Sequence, residues 1–227
     1  LYAMYDATIK YTDACVGSLF DFVHNQFENT IVVITADHGD LFGEYGLLGH
    51  HMVLHDGLIH VPLVTHGLTG VDHHVGSPTQ HIDIMKTLLS IAGADTSQFQ
   101  GYDIRENSRT VAISQDLRGT VDDDEERNYD RIRKYNSSVD LSHLPKSMVT
   151  AARTTDFKLV QTDDWTKLYK LPNEEEDISN KYPSEFEDLR SFISEWMDTE
   201  GTPFEVAPDE AELTEETEEH LREMGYL

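Results

Sequence analysis

The sequence predicts an α/β fold in which a mostly parallel sheet is followed by a small antiparallel sheet and a helix. A helical pattern at residues 2–27 leads into a β-branched run at residues 30–36 that is apolar on both faces. Such a run is typical of a central parallel strand with helices on both sides, and helix followed by buried strand is the order of α/β proteins. From about residue 109 onward, short strand-like runs separated by turn residues predict antiparallel pairing.

The first helix places its apolar residues at helical spacing, so we expect one of its faces to pack in a core. These residues are Tyr5, Ile9, Val16, Leu19, Phe20, Val23 and Phe27. The single cysteine, Cys15, lies in the same pattern. One cysteine excludes an internal disulfide, and we expect this thiol to be buried and structural.

A second strand and a second helix follow. Residues 37–57 are irregular and rich in Gly and His, and residues 58–66 form a strand pattern that contains Pro62. A proline inside a strand indicates an edge position or a bulge. Asp83 can cap a helix that runs to about Ala92, where Gly93 ends it.

The remaining elements belong to the predicted antiparallel sheet. Strand-like runs lie at residues 109–114, 147–153, 157–162 and 167–171. Turn residues separate the last three of these, which predicts a meander, and a helical pattern at residues 186–196 could cover one of its faces. We therefore divide the chain into an α/β part at 1–108, a small antiparallel subdomain at 109–200 and an acidic tail at 201–227.

The charge of the chain restricts its partners. Asp and Glu number 43 against 17 Lys and Arg, for a formal net charge of −26. Such a field repels nucleic acid and anionic membranes, and no apolar run approaches the roughly 20 residues of a membrane span. We interpret the charge as the solvated acidic surface of a halophile, the alternative being an acidic protein with an acidic tail. Because Leu1 opens directly into a helical pattern, we also expect the chain to be a piece of a longer protein.

Candidate chemistry is concentrated directly after the first strand. Asp37 and His38 follow residues 30–36, at the carboxyl end of the strand, where open α/β sheets bind their ligands. A carboxylate beside an imidazole offers one oxygen and one nitrogen donor to a divalent cation. Gly39 would let the backbone turn sharply away from such an ion. The alternative is an ordinary turn.

The residues around this pair resemble the sulfatase family and its phosphonate and phosphodiester hydrolase relatives. In that family a strand ending in Thr-Ser/Ala-Asp-His/Asn-Gly precedes a Gly-Glu-His-Gly-like loop. A Lys or His then precedes an aromatic–acidic pair and a Val-Pro-Leu strand. The matching segments are residues 35–39, 43–46, 49–51, 55–57 and 61–63, with further similarity at 5–17, 82–93, 158–180 and 221–227.

The resemblance implies an alkaline-phosphatase-like α/β sheet and half of a metal site. Asp37 matches the family's metal-ligand aspartate and His38 its companion residue. The ion implied is Ca²⁺, or Mn²⁺ or Zn²⁺ in a phosphodiesterase relative. The implied substrate is a small-molecule or saccharide sulfate ester. A phosphodiesterase or phosphonate monoester hydrolase, and a non-catalytic fragment or binding module, stay open as alternatives.

Two histidines are candidates for the cationic group that acts on the ester. Family members with lysine place it five residues before the position of Asp56, at His51, and members with histidine six residues before it, at His50. Matching His55 and Asp56 to the aromatic–acidic pair favours His50. The alternative is that His50 and His51 both belong to the loop surface. For Asp40 and Glu44 the two alternatives are outer partners of the site and ordinary loop acids.

The chain departs from the family in features that concern catalysis. The signature Cys/Ser-x-Pro-x-Arg, whose first residue becomes the formylglycine nucleophile, is absent, and Cys15 is followed by Val-Gly-Ser instead. The aspartate pair that completes the metal site is absent as well. We expect an N-terminal part of the same protein to supply both, and we expect the isolated chain to be inactive.

Overall fold

The computed structural model describes residues 1–50, 53–71, 76–116, 132–139, 141, 144–145 and 147–201. Its helices are α1 (Tyr2–Gln26), α2 (Asp56–Ile59), α3 (His81–Ile91) and α4 (Pro183–Thr199), and a 3₁₀ turn covers Glu44–Gly46. Its strands are β1 (Val32–Thr35), β2 (Leu41–Phe42), β3 (Leu48–Gly49), β4 (Leu63–His66), β5 (Ala112–Asp116), β6 (Val149–Arg153), β7 (Phe157–Gln161) and β8 (Thr166–Lys170).

The first strand pairs with β4 and the pairing is antiparallel. Val32 lies opposite His66, and Thr35 lies opposite Leu63. The parallel pairing predicted for residues 30–36 is therefore not found among the described strands. The reason is that the connection from β1 brings the chain back to the end at which β1 finishes, so that β4 starts beside Thr35 and runs in the opposite direction. Parallel pairing would require a crossover to the other end of the strand.

The long helix α1 buries none of its residues in this chain, contrary to the prediction for its apolar face. Ile9 and Leu19 are 53% and 61% exposed, and Cys15 is exposed as well. Edge-to-face ring contacts join Phe20 to His66 and Tyr5 to Phe42 at centroid distances of 5.0 and 4.7 Å. Four residues of the predicted face, Tyr5, Val16, Phe20 and Val23, are thus half-buried, but none is fully buried.

The predicted meander is confirmed. Strands β5, β6, β7 and β8 form one antiparallel sheet in that order, with Ala151 opposite Val160 and Leu159 opposite Leu168. Ala151, Leu159 and Leu168 have no exposed surface. The helix predicted after the sheet is α4, which buries Leu189 and Ile193. The strand-like runs and the turn residues between them predicted these strands correctly.

Helix α3 begins earlier than predicted. Its N-cap is Gln80, whose backbone N–H donates to Asp83 Oδ2 at 2.9 Å, so Asp83 is the third residue of a capping box and not the cap itself. Asp83 is buried and also accepts from Arg109 Nε at 2.9 Å. The ion pair with Arg109 thus holds the capping carboxylate at the N-terminus of α3.

Residues Leu1–Glu195 form one compact unit, and Trp196–Leu227 form a second one. The part of the second unit that the structure describes is the end of α4 with Gly201, whose N–H donates to the Trp196 carbonyl at 2.7 Å. The division near residue 108 stays a prediction. No helix in the described ranges combines the length and the apolar character that crossing a membrane requires.

Candidate functional site

Asp37 and His38 lie directly after β1, as predicted. The backbone N–H of His38 donates to Asp37 Oδ1 at 2.9 Å, and His38 Nε2 lies 3.7 Å from Asp37 Oδ2. That hydrogen bond, together with the charge of a protonated His38, lowers the pKa of the Asp37 carboxyl below its usual value. The Asp37 side chain is 81% exposed. The carboxylate is therefore ionised at neutral pH and open to a ligand from solvent.

His50 joins this pair from a position further along the chain. Its ring stacks on that of His38, with centroids 4.3 Å apart and an interplanar angle of 27°. Its Nδ1 lies 3.5 Å from Asp40 Oδ1. We call Asp37, His38, Asp40 and His50 the histidine–aspartate cluster. The structure thus brings together three of the four predicted site residues, while His51 lies outside the described residues.

Gly39 is required by a close approach of two backbones. Its N–H donates to the carbonyl oxygen of Leu58 at 2.9 Å, and a Cβ at this position would overlap the carbonyl oxygen of Gly57. Its φ is not among the positive values in this chain, so the sharp left-handed turn suggested by the sequence is not the reason for the glycine. The loop of Asp37 and His38 is therefore held directly against α2.

A small apolar core lies under the loops that carry the cluster. Leu41, Leu47 and Leu58 are at most 6% exposed and pack in one group with Val53 and two leucines from further along the chain, Leu141 and Leu144. Burying a leucine contributes roughly 1.5–3 kcal/mol. These contacts fix the backbone on both sides of the exposed cluster.

Four charged side chains form a second support beside this core. Arg153 Nη2 lies 2.9 Å from Asp56 Oδ2, Lys158 Nζ lies 3.1 Å from Asp56 Oδ1, and Lys158 Nζ also contacts Glu174 Oε2. We call Asp56, Arg153, Lys158 and Glu174 the buried charge network, because no member exposes more than 16% of its side chain. Burial raises the pKa of Asp56, but the hydrogen bond from Arg153 and the charge of Lys158 outweigh it, and the net pKa is lowered.

Glu44 is held by the backbone and lies outside the cluster. Its Oε2 accepts a hydrogen bond from the Phe42 N–H at 2.5 Å. Slight burial raises the pKa of this carboxyl, yet the backbone hydrogen bonds outweigh burial and lower it. Of the two loop acids considered in the sequence analysis, Asp40 lies beside a candidate site residue, His50.

The donors of the cluster suit part of a divalent metal site. Asp37 offers carboxylate oxygens and His38 an imidazole nitrogen, and divalent ions accept both types. Within the described ranges no group of three or more Asp, Glu, His or Cys residues is arranged to hold a metal ion. Asp37 and His38 together supply two donors of the types that a divalent ion accepts.

The buried charge network was not predicted from the sequence. Asp56 is 97 positions from Arg153 and 118 positions from Glu174 in the sequence, so no local pattern connects Asp56 to its partners. One signal was available: Lys158 lies within a strand-like run whose neighbours Leu159 and Val160 are buried. A charged residue at an inward position of a strand indicates a buried ionic partner, although the pattern does not say which one.

Comparisons with known proteins agree on one family. A family profile described as Sulfatase matches residues 1–94. Arylsulfatase K from Canis lupus familiaris is 27% identical over 212 residues, covering 85% of this chain and 37% of that protein. The choline-sulfatase of Rhizobium meliloti is 34% identical over 100 residues, covering 43% of this chain and 19% of that protein. The chain thus spans less than two fifths of the length of these curated relatives.

Solved structures give the same result for the fold. A phosphonate monoester hydrolase from Silicibacter pomeroyi matches with a TM-score of 0.62 and 22% identity, over 82% of this chain and 38% of that one. The structure of BT4656 in complex with its substrate D-glucosamine-2-N,6-O-disulfate matches with a TM-score of 0.61 and 21% identity, over 85% of this chain and 39% of that one. The α/β fold class predicted from the sequence is therefore confirmed.

Proposed function

Because this chain belongs to the sulfatase family of the alkaline-phosphatase superfamily, we propose that it serves as the C-terminal part of a sulfuric ester hydrolase. The proposed enzyme uses a divalent metal ion, with Ca²⁺ as the first candidate, and acts on a small-molecule or saccharide sulfate ester. The observation that carries this proposal is the stacking of His50 on His38 beside the exposed Asp37 carboxylate.

The cluster would perform two of the tasks that hydrolysis of a sulfate ester requires. Asp37 and His38 would hold the ion, which when bound withdraws electron density from the ester oxygens. His50 would donate a hydrogen bond to an oxygen on which negative charge accumulates during cleavage. Asp40, whose Oδ1 lies 3.5 Å from His50 Nδ1, would help to fix the orientation of the His50 ring.

The exposed face of α1 supports a further part of the proposal, that an N-terminal part of the same protein completes the site. Large apolar residues on this helix are exposed, among them Met4 at 75% and Phe22 at 57%. Several large apolar residues exposed on one helix are typical of a surface that another part of a protein covers. Since the Cys/Ser-x-Pro-x-Arg signature is absent from the sequence, the covering part would also have to supply the nucleophile.

A phosphonate monoester hydrolase or phosphodiesterase of the same superfamily is the second candidate. The similarity to the Silicibacter pomeroyi enzyme is as strong as that to BT4656. The nitrogen donor of His38 also favours Mn²⁺ or Zn²⁺, since Ca²⁺ binds oxygen ligands in preference to imidazole.

The substrate and the metal can be tested together in the complete protein. It would be freed of metal, loaded in turn with Ca²⁺, Mn²⁺ or Zn²⁺, and assayed on an aryl sulfate, an aryl phosphonate monoester and a diaryl phosphate. We expect the highest kcat/KM on the aryl sulfate. A preference for either phosphorus ester would contradict a sulfuric ester hydrolase and select the second candidate.

The incompleteness of the site can be tested on the 227-residue chain alone. We expect no turnover of any of the three esters, because the chain carries no nucleophile signature. Turnover above the buffer rate, in a preparation that mass spectrometry shows to contain this chain alone, would contradict the proposed division of the site. If the complete protein is also inactive on all three esters, the chain has a non-catalytic role.

A further inference from the structure

We propose that Lys158 is a positioning residue for the histidine–aspartate cluster and acts through α2. The expected effect on turnover rests on the proposed function, whereas the expected effect on the position of α2 rests on the structure alone. Lys158 has no exposed surface, so it cannot itself contact a substrate. Any effect of Lys158 on turnover must therefore pass through the residues that it holds.

The ammonium group of Lys158 is surrounded by three oxygen atoms. Nζ donates to the carbonyl oxygen of Leu54 at 2.8 Å and to Asp56 Oδ1 at 3.1 Å, and it contacts Glu174 Oε2. An ammonium group has three N–H donors, so these three contacts use its full capacity. Two of the three lie on the backbone or side chain of the segment that enters α2.

Glu174 also binds the start of α2. Its Oε1 accepts the backbone N–H of Asp56 at 2.8 Å, while its other oxygen contacts Lys158. His55 caps the helix by accepting from the Gly57 N–H at 2.9 Å, and its Nε2 lies 3.8 Å from Glu174 Oε1. The first turn of α2 is therefore bound through its carboxylate, its backbone N–H and the carbonyl that precedes it.

Helix α2 in turn holds the loop of Asp37 and His38. The Gly39 N–H donates to the Leu58 carbonyl at 2.9 Å, and the absence of a Cβ at Gly39 lets that loop touch the backbone at Gly57. Two hydrogen bonds thus connect Lys158 to the loop of the candidate metal ligands through α2. Lys158 donates to Asp56 at the start of the helix, and the Leu58 carbonyl of the same helix accepts from Gly39.

Energetics favour a geometric role over a purely stabilising one. Two cations and two anions taken from water carry a desolvation cost that their attraction offsets only when the geometry is good. Apolar residues of similar volume commonly stabilise a protein as well as a buried ion pair does. What apolar residues cannot do is fix the Leu54 carbonyl and the Asp56 carboxylate at defined positions.

A double variant separates the two roles. Lys158→Met alone leaves the buried Glu174 carboxylate without its ammonium partner, so we expect a large fall in melting temperature. Lys158→Met with Glu174→Gln removes one charge of each sign and leaves the Arg153–Asp56 pair, so most of the melting temperature should return. The donor to Leu54 and Asp56 is still missing in the double variant, so the start of α2 should be held less tightly.

Two measurements report on the positioning. In the 227-residue chain, hydrogen exchange of the Gly39 amide should be at least roughly 10-fold faster in the double variant than in the unmodified chain. In the complete protein, kcat on an aryl sulfate should fall by roughly 10–100-fold, the range seen when an outer partner of a metal ligand is lost. KM should change much less than kcat.

Lys170→Met with Asp156→Asn is a matched control on the same sheet, because this pair lies 3.5 Å apart and is half exposed. It should leave exchange at Gly39 and kcat unchanged. A double variant of Lys158 and Glu174 with normal melting temperature, exchange and kcat would overturn the proposal. An unmodified complete protein without sulfuric ester turnover would defeat the proposed function instead, and exchange at Gly39 would then decide the positioning alone.

Discussion

Replacing Asp37 by Asn tests the candidate metal site with little interference from the fold. The Asp37 side chain is 81% exposed and contacts His38, an interaction that an amide oxygen at the same place can still make with the His38 N–H. Exposed substitutions of this kind change stability by no more than about 0.5 kcal/mol. We therefore expect Asp37→Asn to leave the melting temperature of the metal-free protein unchanged.

The effect on the metal should be large by comparison. Loss of an outer partner of a ligand lowers metal affinity or activity by roughly 10–100-fold. Asp37→Asn removes a direct, charged ligand, so its loss should exceed about 100-fold in affinity, and turnover should fall with it. Asp40→Asn is the control: Asp40 lies 3.5 Å from His50 and contacts the cluster from the side, so its effect should stay within the smaller range.

The assay uses the complete protein, dialysed against a metal-free buffer and then titrated with the ion that supports the highest turnover. Bound metal is measured by elemental analysis and turnover on an aryl sulfate at each point of the titration. A metal content in Asp37→Asn equal to that of the unmodified protein would show that Asp37 is not a ligand. An equal loss in Asp40→Asn would show that charge near the site, and not ligation, determines binding.

Three further outcomes are expected. His50→Ala should lower turnover of the complete protein by roughly 10²–10³, the loss seen when one charge-stabilising donor is removed, and His51→Ala much less; the reverse order would assign the role to His51. The melting temperature should rise between 0.1 and 1 M KCl, since the Debye length falls from about 10 to about 3 Å; a flat or falling curve would contradict the halophilic interpretation. The hydrogen bonds from Arg105 lower the pKa of Asp103 from 3.8 to about 2. The ionised Asp103 therefore stabilises the fold fully above pH 3.8, and this stabilisation is lost as the pH falls towards 2. The free energy of unfolding of Asp103→Asn should change less between pH 4 and pH 2 than that of the unmodified chain. An equal change in both proteins would contradict the lowered pKa of Asp103.

The sequence predicted correctly the elements that local patterns determine. The meander β6–β7–β8 and helix α4 follow from strand-like runs, turn residues and helical spacing, all of which are local patterns. The position of Asp37 and His38 directly after β1 was predicted for the same reason, because the two residues are adjacent and follow a recognisable strand, while their role as metal ligands stays a prediction. Their contact with each other is a local property.

What the sequence did not predict depends on information that is not local. The antiparallel direction of β4 relative to β1 was not predicted, because it depends on the path of the intervening loop, which has no periodic pattern. The face of α1 was predicted to be buried, but its spacing shows only that the helix is amphipathic and does not say which part of a protein covers it. The family resemblance singled out Asp56, but the contacts of Asp56 join it to residues about a hundred positions away, and no local pattern connects them.

The candidate metal ligands are exposed, whereas the residues that hold their backbone in place are buried, and this difference has a consequence for how the site would be completed. Asp37 is 81% exposed, whereas Lys158 and Leu41, which hold the adjoining backbone, are at most 1% exposed. All of that support comes from this chain, so the position of the candidate ligands does not depend on the part that would supply the remaining ones. Ligands that are already fixed lose little conformational entropy when an ion binds. A metal ion shared between two parts of a protein would then contribute most of its binding free energy to joining them, and the apolar face of α1 would lie in the same interface.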